Sequence, residues 1–379
     1  MDIVFTSSVP TMCQHCADLN ISSLYPHDPK PNLTASSPLS PPTYAMSYFT
    51  MTFGALSNLT ALAILSKSYT RFHRRAKTPF LLLAAALLLT DLAGHLVTGG
   101  FGLYLHLEKV RRQRAAARVT EPTQAFCKLF GAFMVFFGLS PMLLGCAMAV
   151  ERCLGITQSL QHSAVVTMAH VRLSVLLLFA MAFTLAALPL LGVGSYKLQF
   201  PGTWCFLPVQ GSRSTADLSL ALAFSSLGLV ALTVSVFCNT TSGLTLLQAR
   251  FSNRGLQPTT SRRHGQSASL QSLDVEMMVQ LAVINVVSWV CWSPFLIYIS
   301  ISVRQFYRGT TRADEQYEQP VLLLVLRMAS WNQILDPWVY ILLRRAVLCR
   351  VCGLLRPNRA ILTQTSYCTG SDRQNIRLR

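Results

Sequence analysis

Seven apolar runs, each long enough to cross a bilayer, leave this sequence little choice of fold. They extend approximately from Tyr44 to Ser66, Pro79 to Leu107, Ala125 to Cys153, Val171 to Val193, Leu218 to Leu247, Met277 to Val303 and Val321 to Leu343. A helix needs about 20 apolar residues to span the hydrocarbon core. Lipid offers the backbone no hydrogen-bond partners, so each run is read as a helix and the seven as one bundle. Composition agrees, because only 12% of the 379 residues are charged, about half the share of a soluble domain. The expected fold class is an all-α membrane protein, a seven-transmembrane helix bundle over residues 44–343. A tail (1–43) precedes it. A second tail (344–379) opens with "RRAVLCRVCGLLR", read as a short amphipathic helix lying along the bilayer.

The first residues, "MDIVFTSSVP", lack the basic start and apolar core of a removable signal, so the first spanning helix is expected to direct insertion. The segment before it carries one basic residue, Lys30, and two glycosylation sequons, at Asn20 and Asn32, which fit an extracellular tail. Asn58 and Asn239 also begin sequons but fall within helices. Seven crossings then put the C-terminus inside. Lys and Arg favour the segments so placed, although "KVRRQRAAAR", Lys109 to Arg118, lands outside. The net charge of +17 reflects mostly this inner-surface bias and is a poor basis for nucleic-acid binding.

Most of the 11 cysteines lie in helices or on the inner side, where thiols stay reduced. Cys127, at the outer start of the third helix, and Cys205, in the loop between the fourth and fifth, lie on the oxidising side and are expected to pair. Cys13 and Cys16 are a second candidate pair. Cys349, Cys352 and Cys368 are candidate acylation sites, with free thiols as the alternative.

Charged groups inside the helices mark function most sharply, because an arginine near mid-helix costs about 2.5 to 3.5 kcal/mol on insertion scales. Arg327 sits seven residues inside the last run. Asp336 lies nine residues further on, about 13.5 Å along the axis and on the opposite side of the helix, so it cannot be the partner. Asp91 is near the depth of Asp336. Those two carboxylates form a candidate site, with Asn332, for water or a small cation such as sodium. Arg327 either snorkels to the surface, about 11 Å away, or meets the carboxylate of an apolar ligand arriving from outside. His95 and Gln333 are candidate partners for polar groups further along such a ligand, or satisfied core residues. No acid stands in the outer half of the third helix, where Phe133 and Met134 sit, so an amine ligand would find no counter-ion. The sequence contains no HExxH, GxSxG or P-loop pattern, no cofactor is implied, and an enzyme is not expected. An anion transporter is a competing class, but neither internal repeats nor matched broken helices are evident.

The inner ends carry a different pattern. Glu151-Arg152-Cys153 closes the third helix, and adjacent opposite charges there can form a lock broken by helix movement. Pro294, beside Trp292, kinks the sixth helix, and Pro337, after Asp336 and before Tyr340, kinks the seventh.

Together these residues resemble the prostanoid receptors among the rhodopsin-like G-protein-coupled receptors, over about Tyr44 to Leu355. "GTWCF", Gly202 to Phe206, resembles that family's second extracellular loop. "RMASWNQILDPWVYILLR", Arg327 to Arg344, resembles its seventh helix, and Glu151-Arg152-Cys153 follows its pattern where most of the larger class has Asp-Arg-Tyr. "MVFFGLSPMLLGCAMAVERCLGIT", "LTDLAGH" and "DVEMMVQL" are most similar to the calcium-mobilising prostaglandin E subtype, with the prostaglandin F receptors next. The resemblance implies prostaglandin E2 as ligand, or another prostanoid such as prostaglandin F2-alpha. It also implies a G protein of the Gq/11 class acting through phospholipase C and calcium, and a multi-pass location in the plasma membrane. It gives Arg327 and Thr203 to the ligand carboxylate, and Met134, Trp292, His95 and Gln333 to the chain and ring. The family's usual second-helix tyrosine is replaced here by His106. Tyr104 lies two residues earlier, about 200° round the helix. Either His106 takes over the tyrosine's task or the helix is rewound to present Tyr104.

Overall fold

The computed structural model describes residues 42–71, 78–115, 124–157, 167–209, 213–255, 264–309 and 315–342, apart from some side chains near helix ends. Among the described residues seven helices run in order: α1 (Pro42–Arg71), α2 (Thr78–Ala115), α3 (Gln124–Thr157), α4 (Met168–Ala187), α5 (Thr215–Gly255), α6 (His264–Tyr307) and α7 (Glu315–Leu342). Between α4 and α5 lies an antiparallel hairpin of β1 (Lys197–Gln199) and β2 (Trp204–Phe206). The sequons at Asn20 and Asn32, the pair Cys13 and Cys16, the amphipathic segment and Cys349, Cys352 and Cys368 lie outside the described residues.

Among the described residues six helices, α1 to α6, are long and apolar enough to cross a membrane. The seventh, α7, carries Arg327, Asn332, Gln333 and Asp336 within its length, and these polar groups separate it from the other six. The fourth helix ends at Ala187, short of the Val193 expected from hydropathy. Pro189 cannot donate a helical hydrogen bond, and its ring crowds the preceding turn. The chain therefore tightens into turns with Leu190 N bonded to Ala187 O and Gly192 N to Pro189 O. Gly192, at φ +93°, ends them in a conformation open chiefly to glycine. The other end of α4 starts on a reciprocal cap, in which Thr167 Oγ1 accepts from His170 N and Thr167 N donates to His170 Nδ1.

The bundle is built around α3, which packs on α2, α4, α5, α6 and both hairpin strands, while α1 closes the ring between α2 and α7. Its apolar contacts fall into two clusters. One joins the middle and disulfide-bearing end of α3 to the hairpin, α5 and α6, through Phe130, Phe206, Phe224 and Phe295. The other lies toward the opposite end, around Phe80, Leu83, Leu144, Met148, Leu281 and Val339. The disulfide-bearing end is called the outer end below.

Candidate functional site

The hairpin is the roof of the outer end. Leu198 pairs with Cys205 across it, and Cys205 is joined to Cys127 of α3 with their Cα atoms 5.5 Å apart. Its turn is stitched by Gly202 N to Gln199 O at 2.7 Å and by Trp204 Nε1 to Phe200 O at 2.8 Å. Lys109, near the end of α2, donates to the turn carbonyl of Pro201 at 2.8 Å. Tyr196 donates its hydroxyl to Ala186 O at 2.9 Å, and burial pushes its phenol above the ordinary range, so it remains a donor. Ser302 of α6 donates to Val209 O at 2.8 Å. The roof is thus tied to four helices. Thr203, in its turn, is buried, and its carbonyl faces Gly102 of α2.

Below the roof the sequence-predicted ligand residues divide. Arg327 is exposed, on the α7 stripe that also carries Leu324 and Trp331. Among the described residues no carboxylate lies within ion-pair distance of it; the pairs found are Arg111–Glu108 and Arg152–Glu151. Its charge acts on His106 of α2, as does that of Lys109. The second helix is unbroken through this region and is not rewound. Tyr104 turns to α3 instead, its ring 5.1 Å from Phe126 and half exposed.

Met134 is half-buried against the outer core cluster. Trp292 is buried, its ring 6.3 Å from Phe295. His95 is buried so tightly against α1 that a side chain at Gly54 would collide with its ring. Gln333 donates to Phe137 O of α3 at 3.0 Å, while its own carbonyl accepts from Asn58 at 3.0 Å. These two bonds cross-link α7 to α3 and α1. Asn58, visible in the sequence as a sequon, is thereby a buried structural residue.

Deeper in the bundle Asp91, Asp336 and Asn332 are all buried. Asn332 Nδ2 donates to Asp336 Oδ2 at 3.0 Å, and Asp91 lies within electrostatic reach of Asp336. Among the described residues both Asp91 oxygens, Asp336 Oδ1 and Asn332 Oδ1 have no hydrogen-bond partner. An all-oxygen donor set of this kind suits a hard cation. Among the described residues no group of three or more His, Cys, Asp or Glu gathers as a metal cluster.

At the inner end Arg152 grips the neighbouring Glu151 with two bonds, Nε to Oε2 at 2.6 Å and Nη2 to Oε1 at 2.7 Å. Its guanidinium also stands 5.0 Å from the centre of the Phe80 ring on α2. The expected ion pair is present, and it has a neighbour that no local pattern signalled, since Phe80 reads as one more apolar residue. Pro294 and Pro337 lie inside α6 and α7 as expected, and α3 contains Pro141 as well. Tyr340 falls in the last turn of α7.

A roofed seven-helix bundle with a charged outer mouth and an inner ion pair has the architecture of a membrane receptor. Residues 57–340 match the family described as 7 transmembrane receptor (rhodopsin family). The chain is 43% identical over 360 residues to the human Prostaglandin E2 receptor EP1 subtype, covering 86% of this chain and 85% of that one. It is 42% identical over 298 residues to the human Prostaglandin F2-alpha receptor, covering 79% and 77%. Squid rhodopsin shares the fold with a TM-score of 0.66 and 85% coverage of both chains, at 16% identity. The chain therefore belongs to the prostanoid receptors of the rhodopsin family of seven-transmembrane, G-protein-coupled receptors. Its relatives are multi-pass receptors and not enzymes, and nothing in the match favours an anion transporter.

Proposed function

We propose that this receptor binds prostaglandin E2 at its outer end and signals through Gq/11, phospholipase C and calcium. The observation that carries the reading is that Arg327 and His106 stand within electrostatic reach of each other at the outer end, with no carboxylate within ion-pair distance of the guanidinium among the described residues. Such a pair complements the single carboxylate of a fatty acid, which Arg327 can hold through two parallel bonds. Thr203 would complete the subsite from the roof, and Tyr104 would flank it on the α3 side. Met134, His95, Gln333 and Trp292 would follow the chain downward. In this reading His106 stands in for the family tyrosine.

The second reading, a receptor for prostaglandin F2-alpha, has its own support in a relative of that name at 42% identity. Cells expressing the chain and exposed to a panel of prostanoids separate the two. Prostaglandin E2 should raise calcium at the lowest concentration, with little change in cAMP. A lower threshold for prostaglandin F2-alpha, or a cAMP response without calcium, would overturn the first reading.

The same reading puts the N-terminus and the sequons at Asn20 and Asn32 outside the plasma membrane and the C-terminus inside. Asp91, Asp336 and Asn332 would hold a sodium ion, whose charge compensates the buried carboxylates. Signalling would proceed by a population shift, in which a ligand that prefers the open state swings α6 about Pro294 and releases Arg152 to a G protein. Pro337 and Tyr340 on α7 would move with it.

A further inference from the structure

The mouth of the bundle carries a second basic feature that ligand binding does not explain. The 38 residues of α2 make about 57 Å of helix, close to twice the roughly 30 Å hydrocarbon core. Its last turns therefore stand clear of the bilayer, and they read Val110-Arg111-Arg112-Gln113-Arg114-Ala115. They belong to the oxidising side, because the hairpin that Lys109 holds carries the disulfide.

At 100° per residue, the positions of Arg111, Arg112 and Arg114 fall within an arc of about 160°, and Lys109, turned to the hairpin, falls outside it. The same arc continues the face of Tyr104 and Leu107, which are 53% and 56% exposed. The Arg111 side chain is itself 83% exposed, with Glu108 near it at 3.9 Å, a solvent-screened contact that leaves the guanidinium available.

We propose that this outer extension of α2 is a docking surface for a sulfated glycosaminoglycan. Arg111 and Arg114 rise by about 4.5 Å along the helix, a short spacing that suits an anionic polymer with sulfates and carboxylates on successive sugars. Guanidinium groups match both anions bidentately. Membrane headgroups fit less well, because strongly anionic lipid belongs to the cytoplasmic leaflet and this segment is on the other side.

The test uses a fluorescent heparin dodecasaccharide on intact cells that lack heparan sulfate and express the full chain, so that only the outer surface is reached. Saturable, salt-sensitive binding above that of untransfected cells is expected. Replacing Arg111, Arg112 and Arg114 together with Ala should weaken it about tenfold at equal surface biotinylation, while three Lys should retain most of it. Arg111→Glu, at an exposed position, provides a variant with little risk to folding and should weaken binding about threefold or more. Equal heparin binding by the native chain and Arg111→Glu would overturn the proposal. So would an absence of heparin binding by the native chain. Capture of phosphatidylserine vesicles with no heparin binding would assign the arginines to lipid instead.

Discussion

At the outer end a disulfide joins α3 to β2, Lys109 holds the hairpin turn, and Tyr196 and Ser302 anchor the hairpin's flanks. At the inner end the described side chains offer apolar packing, the Glu151–Arg152 pair and its contact with Phe80. The difference follows from what each end must do. A roof over the proposed ligand site has to be ordered before a ligand arrives, since ordering it on binding would subtract from affinity. An end that opens to a partner has to be held by contacts that exchange easily. An ion pair between neighbouring residues qualifies, because breaking it unties no loop.

Opening the disulfide should have the largest effect and tests the rigid half of the comparison. Losing such a crosslink costs about 2 to 5 kcal/mol. Cys127→Ser or Cys205→Ser should abolish specific ligand binding while leaving most of the helix content seen by circular dichroism. Normal ligand affinity in either variant would show that the roof is ordered without its covalent tie.

Arg327 comes next. Removing one partner of a desolvated, hydrogen-bonded charge pair costs about 2 to 5 kcal/mol, or on the order of 30-fold to several thousand-fold in affinity. Arg327→Ala should lose at least the lower amount, and Arg327→Lys, which keeps the charge without the planar fork, should recover part of it. The ligand's methyl ester should bind the native receptor weakly and be almost indifferent to either change. If acid and ester bind the native receptor equally with esterases blocked, the arginine serves the bilayer surface rather than the ligand.

The inner lock should give a smaller effect of opposite sign. Glu151→Gln removes the charge that holds Arg152, and ligand-independent calcium signalling should rise by about five- to thirtyfold, the scale of a 1 to 2 kcal/mol shift between states. Arg152→Ala should uncouple signalling while sparing much of the ligand affinity. An unchanged basal signal in Glu151→Gln would mean that packing around Phe80 and Met148, and not the ion pair, keeps the inner end closed.

These contrasts were unevenly legible in the sequence. The seven runs and the Glu151–Arg152 pair are local or compositional, and the Cys127–Cys205 pair, 78 residues apart, was legible because both cysteines were placed on the oxidising side; each is found in the fold. The early end of α4 was also encoded, in Pro189 and Gly192, but hydropathy averaging hides such turns. The bonds from Lys109 to Pro201 and from Asn58 to Gln333, and the seat of Arg152 on Phe80, join residues far apart in the chain. They depend on helix rotation and depth, which apolar periodicity does not define when helices are apolar all round. The choice between His106 and Tyr104 was of this second kind. It turned in part on whether α2 stays regular, and α2 is one unbroken helix from Thr78 to Ala115.

The bond from Lys109 to Pro201 carries the smallest expected effect and the finest test of the contrast. A charge-assisted bond of this kind contributes about 1.5 to 3 kcal/mol when buried. Lys109 is only half-buried, and the disulfide already restrains the same hairpin. Lys109→Met should therefore weaken ligand binding by roughly fivefold or less, near 1 kcal/mol. The route of the loss can be read from the ligand. If Lys109 acts by holding the roof, the acid and its methyl ester should lose affinity equally. If it acts as a third cation beside His106 and Arg327, only the acid should lose. The first outcome fits an outer end built as a pinned scaffold, in which each added tie matters little while the disulfide stands. The second would assign Lys109 to the ligand, and would leave the disulfide and the bonds of Tyr196 and Ser302 to hold the roof.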